Sequence, residues 1–204
     1  CRTARELGAT EVAVGSIFEV SEALAEGLTP IVLTPSLDLH RVLLPGPVVP
    51  TVGSAHQLEH LLTHRPGGSA VVKVVTSTLR HGFAPDAAAQ ALRALELAGV
   101  VVHSVALHPS FASSQVERRD EAAEALAVLP DEIRVSLSHL DRASLMELQQ
   151  RFPGRRFSMR LGSMLWHGDK QAFTLTATVL DVRQVRSGAT VGYRGVRVPG
   201  DGAV

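Results

Sequence analysis

Short apolar runs, rich in β-branched residues, alternate with longer amphipathic stretches over about three quarters of this chain. Seven runs fit β-strands, at residues 11–14, 31–33, 48–52, 70–75, 100–106, 133–137 and 157–160. Helical periodicity occupies residues 17–25, 56–62, 86–98, 115–128 and 144–151, with the end of another helix at 2–7 and an irregular piece at 36–43. Such a strand–helix repeat predicts an α/β fold with a parallel sheet.

The predicted strands favour a closed barrel over an open sheet. Runs such as residues 70–75 are continuously apolar, which is typical of parallel strands covered on both faces. Seven βα units are one strand short of a TIM-type (β/α)8 barrel, and we expect the missing strand to precede Cys1. An open doubly wound sheet is the alternative, but no glycine-rich dinucleotide fingerprint follows any predicted strand.

The pattern changes after residue 168. Residues 173–179 alternate with a period of two, 179–185 continue as a strand, and Gly188 turns the chain into short strands at 190–193 and 196–198. This pattern predicts antiparallel hairpins. We therefore expect a barrel over residues 1–168 that lacks its N-terminal part, and the incomplete beginning of a C-terminal β-domain over 169–204.

Composition excludes several classes of function. Hydrophobic residues make up 45% and charged residues 20% of the chain, as in ordinary globular proteins. The formal net charge is zero, which gives no sign of a nucleic-acid partner. No apolar run has the length of a membrane span. Cys1 is the single cysteine, so there is no disulfide framework, and we expect a cytoplasmic protein.

Polar residues at the ends of the predicted strands are the candidate site, because barrel active sites gather at the C-terminal ends of the strands. Lys73 interrupts an apolar strand, so its ammonium must be paired, modified, next to an anion, or extended along the surface toward water. Arg80, taken alone, is an ordinary loop arginine, and His108 alone merely ends a strand. Ser138 and His139 follow the sixth strand.

The seventh strand ends with Arg160, followed by the small residues Gly162 and Ser163. Small residues let backbone N–H groups approach a phosphate closely. A guanidinium is always a donor, so a heteroaromatic nitrogen facing Arg160 would stay unprotonated. A metal site would need the histidines at 103, 108, 139 and 167, but their spacing matches no compact ligand motif, and we predict none.

The ordered set resembles the alanine racemase family, a divergent branch of it, in which a barrel that binds pyridoxal 5'-phosphate precedes a β-domain. The resemblance rests on Lys73 seven residues before Arg80, with Gly82 two residues further on, and on the Val-Gly-Tyr at 191–193 after a valine-rich segment. It implies that Lys73 is the lysine, often carbamylated, that orients Arg80. Arg80 would then contact the phenolic oxygen of the cofactor.

The same resemblance implies further cofactor contacts. His108 would pack against the pyridine ring, and Arg160 would bind its nitrogen. The phosphate contacts would come from Ser138 or His139, together with Gly162 and Ser163.

The function implied is that of an amino-acid racemase, most closely one that interconverts L- and D-alanine for the cell wall. Its partners would be an amino-acid substrate and a second copy of the chain in a homodimer. The resemblance places the Schiff-base lysine and the catalytic tyrosine outside residues 1–204, so we assign no catalytic residue here.

Departures from the family pattern leave other functions open. Residues 75–78 read Val-Thr-Ser-Thr in place of Asp-Thr-Gly-Met, Ser138-His139 replaces Asn-Ser, and Pro109 follows the histidine. The alternatives are a racemase or decarboxylase for another amino acid and a cofactor-binding pseudoenzyme. A cofactor carrier would resemble the barrel alone, and the strands predicted after residue 173 argue against it.

Overall fold

The computed structural model describes residues 1–38, 47–65, 67–162, 174 and 176–203. The chain divides into two compact units, Cys1–Leu161 and Gly162–Val204. The domain boundary predicted at residue 168 and most of the irregular piece at 36–43 lie outside the described residues. The boundary therefore stays a prediction.

The described residues of the first unit form seven parallel strands. They are β1 (Glu11–Val14), β2 (Thr29–Val32), β3 (Thr51–Val52), β4 (Ser69–Lys73), β5 (Val101–Ala106), β6 (Arg134–Leu137) and β7 (Arg156–Met159). β1 pairs with β2, and β3 to β7 form a five-stranded sheet in chain order. A parallel bridge between Ile31 and Val49 links the two sheets. All seven predicted strands are thereby confirmed, with ends that differ by a few residues.

The helices also follow the sequence pattern. They are α1 (Arg2–Glu6), α2 (Val20–Ala25) after a 3₁₀ turn (Ile17–Glu19), α3 (Ala55–His64), α4 (Pro85–Leu97), α5 (Gln115–Ala127) and α6 (Arg142–Arg151). Side chains cap three of these helices: Ser54, Ser114 and Asp141 each accept a hydrogen bond from a backbone N–H of the first turn. Each such cap contributes about 1 kcal/mol. None of the helices in the described residues has the length and apolar content to cross a membrane.

The sheet is covered on both faces, as the apolar runs predict. Val72 and Val105 pack with helix residues such as Leu95 and Leu126 in the main core. A second cluster, formed by Val49, Val71 and Ala106 with Ile31, lies on the opposite face, which we call the inner face. Because successive strand residues alternate between faces, Lys73 shares the inner face with Val71.

Contacts of Glu11 show that the sheet is strongly curved. A glutamate oxygen lies 2.8 Å from His103 Nε2, and the other accepts a hydrogen bond from Arg134 Nη2 at 3.2 Å. A flat sheet would place β1 about 19 Å from β5, four strand spacings away. His103 reaches inward because it is an extra residue in the β4–β5 register, where Ala70 pairs with Val102 and Val71 with Ser104.

Glu11 also makes the fold sensitive to acid. Burial acts to raise its pKa, but the hydrogen bonds and charges of His103 and Arg134 outweigh burial and lower the pKa below 4.5. The stabilisation is therefore complete above pH 4.5 and is lost as pH falls through the folded-state pKa. We expect Glu11→Gln to reduce the unfolding free energy by up to about 1 kcal/mol near neutral pH. The difference from the unsubstituted protein should shrink in acid.

Urea unfolding of both proteins at neutral and acidic pH measures this difference. Glu59→Gln is the matched control, because Glu59 is exposed on α3 and its carboxylate makes no hydrogen bond or ion pair with the residues that the structure describes. This substitution removes a carboxylate without removing a contact across the sheet. A Glu11→Gln effect that stayed constant down to acidic pH would contradict the assignment.

The second unit contains short antiparallel pairs. β8 (Gln184–Val185) pairs with β11 (Gly202–Ala203), and β9 (Thr190–Val191) pairs with β10 (Val196–Arg197). The predicted hairpin after Gly188 is confirmed. The strand predicted over residues 173–185 is present at Gln184–Val185 and is wrong over 176–183, where the structure has no strand. Val179 and Leu180 are largely exposed there, and an alternating segment forms a strand only where another strand supplies hydrogen bonds.

Candidate functional site

Lys73 is the buried cation of the candidate site. It ends β4 on the inner face and is 9% exposed. Its Nζ lies 3.1 Å from His81 Nε2. Burial, followed by the charges of Arg80 and Arg160, lowers the pKa of Lys73 to about 8. A measurable fraction of the amine is therefore neutral at physiological pH.

The loop after β4 returns to the strand that it leaves. The Val75 N–H donates to the Phe83 carbonyl at 2.8 Å, and the Phe83 N–H donates to the Lys73 carbonyl at 2.8 Å. This return brings Arg80 and His81 back to Lys73. Thr76 Oγ1 donates to the His108 carbonyl at 2.7 Å, which ties the loop to the end of β5.

Ser77 holds the same loop against α5. Its hydroxyl donates to a carboxylate oxygen of Glu121 at 2.8 Å, its backbone N–H bonds the other oxygen, and its Oγ accepts the Ser110 N–H at 2.9 Å. The departure from the family pattern at residue 77, a serine in place of glycine, thus has a structural use.

Arg160 lies across the ends of β5 and β6. Its Nη1 donates to Ser136 Oγ at 3.0 Å, and its Nη2 donates to the Leu107 carbonyl at 3.0 Å. Burial lowers the pKa of Arg160 to about 10, so the guanidinium stays charged at neutral pH. These bonds fix the plane of the group at the strand ends.

His108 is an uncharged ring in this cluster. Burial, followed by the charges of His139, Arg160, Arg80 and Lys73, lowers its pKa to about 4. Its ring centroid lies 4.3 Å from that of His139, at 53° between the planes. A neutral ring can pack against an aromatic ligand without placing another cation there.

His139 is the second residue after β6. Its backbone adopts a positive φ of 64°, and its Nδ1 lies 2.9 Å from the Pro109 carbonyl, to which only an N–H can bond. Phe111 contacts the ring edge to face, with centroids 5.2 Å apart. The ring is thus engaged by the loop after β5, which leaves Ser138, 3% exposed, as the more enclosed of the two predicted phosphate contacts.

Sequence reasoning missed Arg118, which holds these loops together. It is 6% exposed, and its guanidinium donates to the carbonyls of Ser110, Phe111 and His139 at 2.9, 2.6 and 2.6 Å. The signal was present, because Arg118 lies one helical turn from the buried Ala122 on the apolar side of α5. His81 was missed as well, since its contact depends on the path of the loop.

No ion pair joins Lys73, Arg80 or Arg160 to a carboxylate in the part of the chain that the structure describes. Among the described residues these charges thus have no compensating carboxylate, which suits an anionic ligand. The described residues contain no group of three or more histidine, cysteine or acidic side chains that could hold a metal.

The phosphate contacts predicted after β7 are not tested. Gly162 is exposed, with open space where a side chain would begin. Ser163 lies outside the described residues. Both assignments stay predictions.

Comparison with known proteins gives one family match. A family profile described as "alanine racemase, N-terminal domain" matches residues 1–167. No curated protein matched the chain.

Solved structures share the fold at low sequence identity. The alanine racemase of Clostridium difficile 630 has a TM-score of 0.67 at 16% identity, over 98% of this chain and 59% of that one. A histidine racemase from Leuconostoc mesenteroides subsp. sake NBRC 102480 gives 0.64 at 14% identity, over 98% and 60%. A lysine/ornithine decarboxylase from Vibrio vulnificus, complexed with cadaverine, gives 0.60 at 15%, over 78% and 50%.

These similarities confirm the predicted fold class, a TIM-type β/α barrel followed by antiparallel strands. The chain spans about three fifths of the length of the racemases that it matches.

Proposed function

Because the chain belongs to the alanine racemase family, whose N-terminal domain profile covers residues 1–167, we propose that it is part of a pyridoxal-phosphate-dependent amino-acid racemase. The observation that carries the proposal is the cluster of Lys73, Arg80, His108 and Arg160 at the strand ends, which has no acidic partner among the described residues. When bound, the cofactor withdraws electrons from the amino acid and loosens its α-proton.

The described residues fit this cofactor. A phosphorylated, phenolic pyridine carries negative charge, and the cluster supplies positive charge without a competing carboxylate. Arg80 would hold the phenolic oxygen, with Lys73 beside it. His108 would pack against the ring, since its low pKa keeps it uncharged. Ser138 or His139, with Gly162 and Ser163, would hold the phosphate.

Arg160 would bind the pyridine nitrogen. Its hydrogen bonds to Ser136 and Leu107 leave the guanidinium charged and fixed, so it can donate to the nitrogen but can never accept a proton from it. An unprotonated pyridine is a weaker electron sink, which favours return of the α-proton over other reactions.

The proposal extends to the whole enzyme. The substrate is alanine, interconverted between its L and D forms for the cell wall by a cytoplasmic homodimer. The lysine joined to the cofactor and the second proton-transferring residue, a tyrosine, would lie outside residues 1–204.

A second candidate is a racemase or decarboxylase for another amino acid. It is favoured by the similarity to a histidine racemase and to a lysine/ornithine decarboxylase, which share this fold and are named for other amino acids. A cofactor-binding pseudoenzyme is the third, since residues 75–78 depart from the family pattern.

The test uses the full-length protein that contains this chain. We expect it to develop a visible absorbance band with pyridoxal phosphate, and borohydride to fix the cofactor on a lysine outside residues 1–204. Pyridoxine phosphate, which lacks the aldehyde, is the control. L-alanine should then become racemic in a chiral assay. A band with decarboxylated product supports the second candidate, a band without turnover supports the third, and a folded protein without a band contradicts all three.

A further inference from the structure

His81 has no part in the function proposed above, yet it contacts the buried lysine of the site. Its Nε2 lies 3.1 Å from Lys73 Nζ, although the two residues are eight positions apart in the sequence. The contact exists because the loop after β4 returns to the strand and pairs Phe83 with Lys73 and Val75 through the backbone. Both side chains are half-buried or buried.

The direction of this hydrogen bond follows from the chemistry of the two groups. A lysine ammonium has three donors and no acceptor, whereas a neutral imidazole has one nitrogen that accepts. The pKa of His81 is lowered below 6.5 and that of Lys73 is about 8, so a charged amine and a neutral ring coexist at neutral pH. Lys73 therefore donates, and Nε2 of His81 accepts.

The charged groups around the pair keep the histidine neutral. Burial, followed by the charges of Lys73 and Arg80, lowers the pKa of His81 below 6.5. Arg80 and Arg160 act on Lys73, and the charge of Lys73 in turn contributes to the low pKa of His108. No carboxylate of the described residues bonds to Lys73, so His81 provides the hydrogen-bond acceptor seen there.

We propose that His81 is a positioning residue: it accepts a hydrogen bond from the Lys73 amine and thereby fixes the direction and the protonation of that amine. A buried ammonium without an acceptor loses its proton readily, because burial favours the neutral form. A histidine can therefore do here what an acidic partner does elsewhere, without adding negative charge to the site. The inference rests on the proposed function for the use of Lys73 beside Arg80.

The test measures the titration of Lys73 without cofactor. Trace acetylation across neutral and alkaline pH, read by mass spectrometry of proteolytic peptides, resolves Lys73 from Lys170 and from any lysine outside residues 1–204. In the full-length protein we expect a Lys73 midpoint near 8. His81→Leu should lower this midpoint by about one unit, because the ammonium loses its acceptor. His81→Gln, whose amide oxygen can accept, should restore most of it.

Two controls separate positioning from packing. His56→Leu changes an exposed histidine on α3 and should leave the Lys73 midpoint unchanged. Circular dichroism checks that each variant is folded, and His81→Gln carries the test if the leucine variant does not fold. The proposal is overturned if His81→Leu titrates as the unsubstituted protein, or if the glutamine and leucine variants shift equally.

Failure of the proposed function has a different signature. If the full-length protein never develops the cofactor band but the Lys73 midpoint still falls in His81→Leu, the proposed racemase function is wrong and the proposed role of His81 stands. If the band develops but His81→Leu leaves the Lys73 midpoint unchanged, the role of His81 is wrong and the proposed function stands.

Discussion

Gly82→Ala is expected to unfold or severely destabilise the barrel. A Cβ at this position would lie 2.4 Å from the Val75 nitrogen, 2.6 Å from the Val74 carbonyl carbon and 2.8 Å from Val75 Cα. All three are backbone atoms, so no rotation of a side chain relieves the contact. We expect a loss of roughly 3 kcal/mol or more, at the upper end of single-residue effects.

The damage should also reach the candidate site. Gly82 lies between His81 and Phe83, whose backbone pairs with Lys73 and Val75, so displacing residue 82 moves His81 away from the Lys73 amine. Urea unfolding measures the loss of stability, and the Lys73 titration measures the local change. Gly154→Ala is the matched control, because a Cβ there meets nothing within 4 Å. Equal unfolding midpoints for the two variants would refute the argument.

The strands could be predicted because their signal is local and continuous. Val71, Val72 and Val105 lie in apolar runs that are covered on both faces, and such runs read as strands without knowledge of their partners. The ends were less accurate. The third strand was predicted over 48–52 but is regular only at Thr51–Val52, since Pro50 has no N–H for the ladder.

The site could be predicted where the strand-end rule applies. It selected Lys73, His108 and Arg160, and in the structure Arg160 lies close enough for its charge to lower the pKa of both Lys73 and His108. The rule could not select His81, because the contact between His81 and Lys73 forms only when the loop after β4 folds back onto the strand.

That return depends on a close backbone approach. A Cβ on Gly53 would lie 2.9 Å from the Gly82 nitrogen, so two glycines that are 29 residues apart in the sequence must pack together. Nothing in the local sequence around residue 82 reveals this partner. The spacing between Lys73 and Arg80 could therefore identify Arg80 as a site residue, but it could not predict the loop path that returns Arg80 to Lys73.

The strand prediction for the segment before β8 was wrong because a strand also needs a partner. A period-two pattern indicates that one face of a segment is apolar, but it does not show that a second strand is present to pair with it. Val182 is exposed in the structure, and the pattern alone could not supply the neighbour that a strand requires.

Arg160→Glu is expected to change which reaction the full-length enzyme performs. A carboxylate at this position would stabilise a protonated pyridine nitrogen, which strengthens the cofactor as an electron sink. Transfer of the amino group to the cofactor, with release of a keto acid, should then rise relative to racemisation by about tenfold or more, which corresponds to a barrier change of roughly 1.4 kcal/mol. Chromatography of keto acid and D-amino acid from the same reaction measures this ratio.

Arg160→Glu should also destabilise the protein, because it removes hydrogen bonds at the strand ends. Arg160 donates to the Leu107 carbonyl and to Ser136 Oγ, and a glutamate would face that carbonyl with a second acceptor. Arg160→Gln keeps a donor for these partners and removes the charge, so it should fold more readily and show a smaller change in the ratio. Arg151→Glu, at the exposed end of α6, is the matched control and should leave the ratio unchanged. If a folded Arg160→Glu enzyme retained the original ratio, the guanidinium would not govern the pyridine nitrogen, and the position of Arg160 would reflect only its support of the β5 and β6 ends.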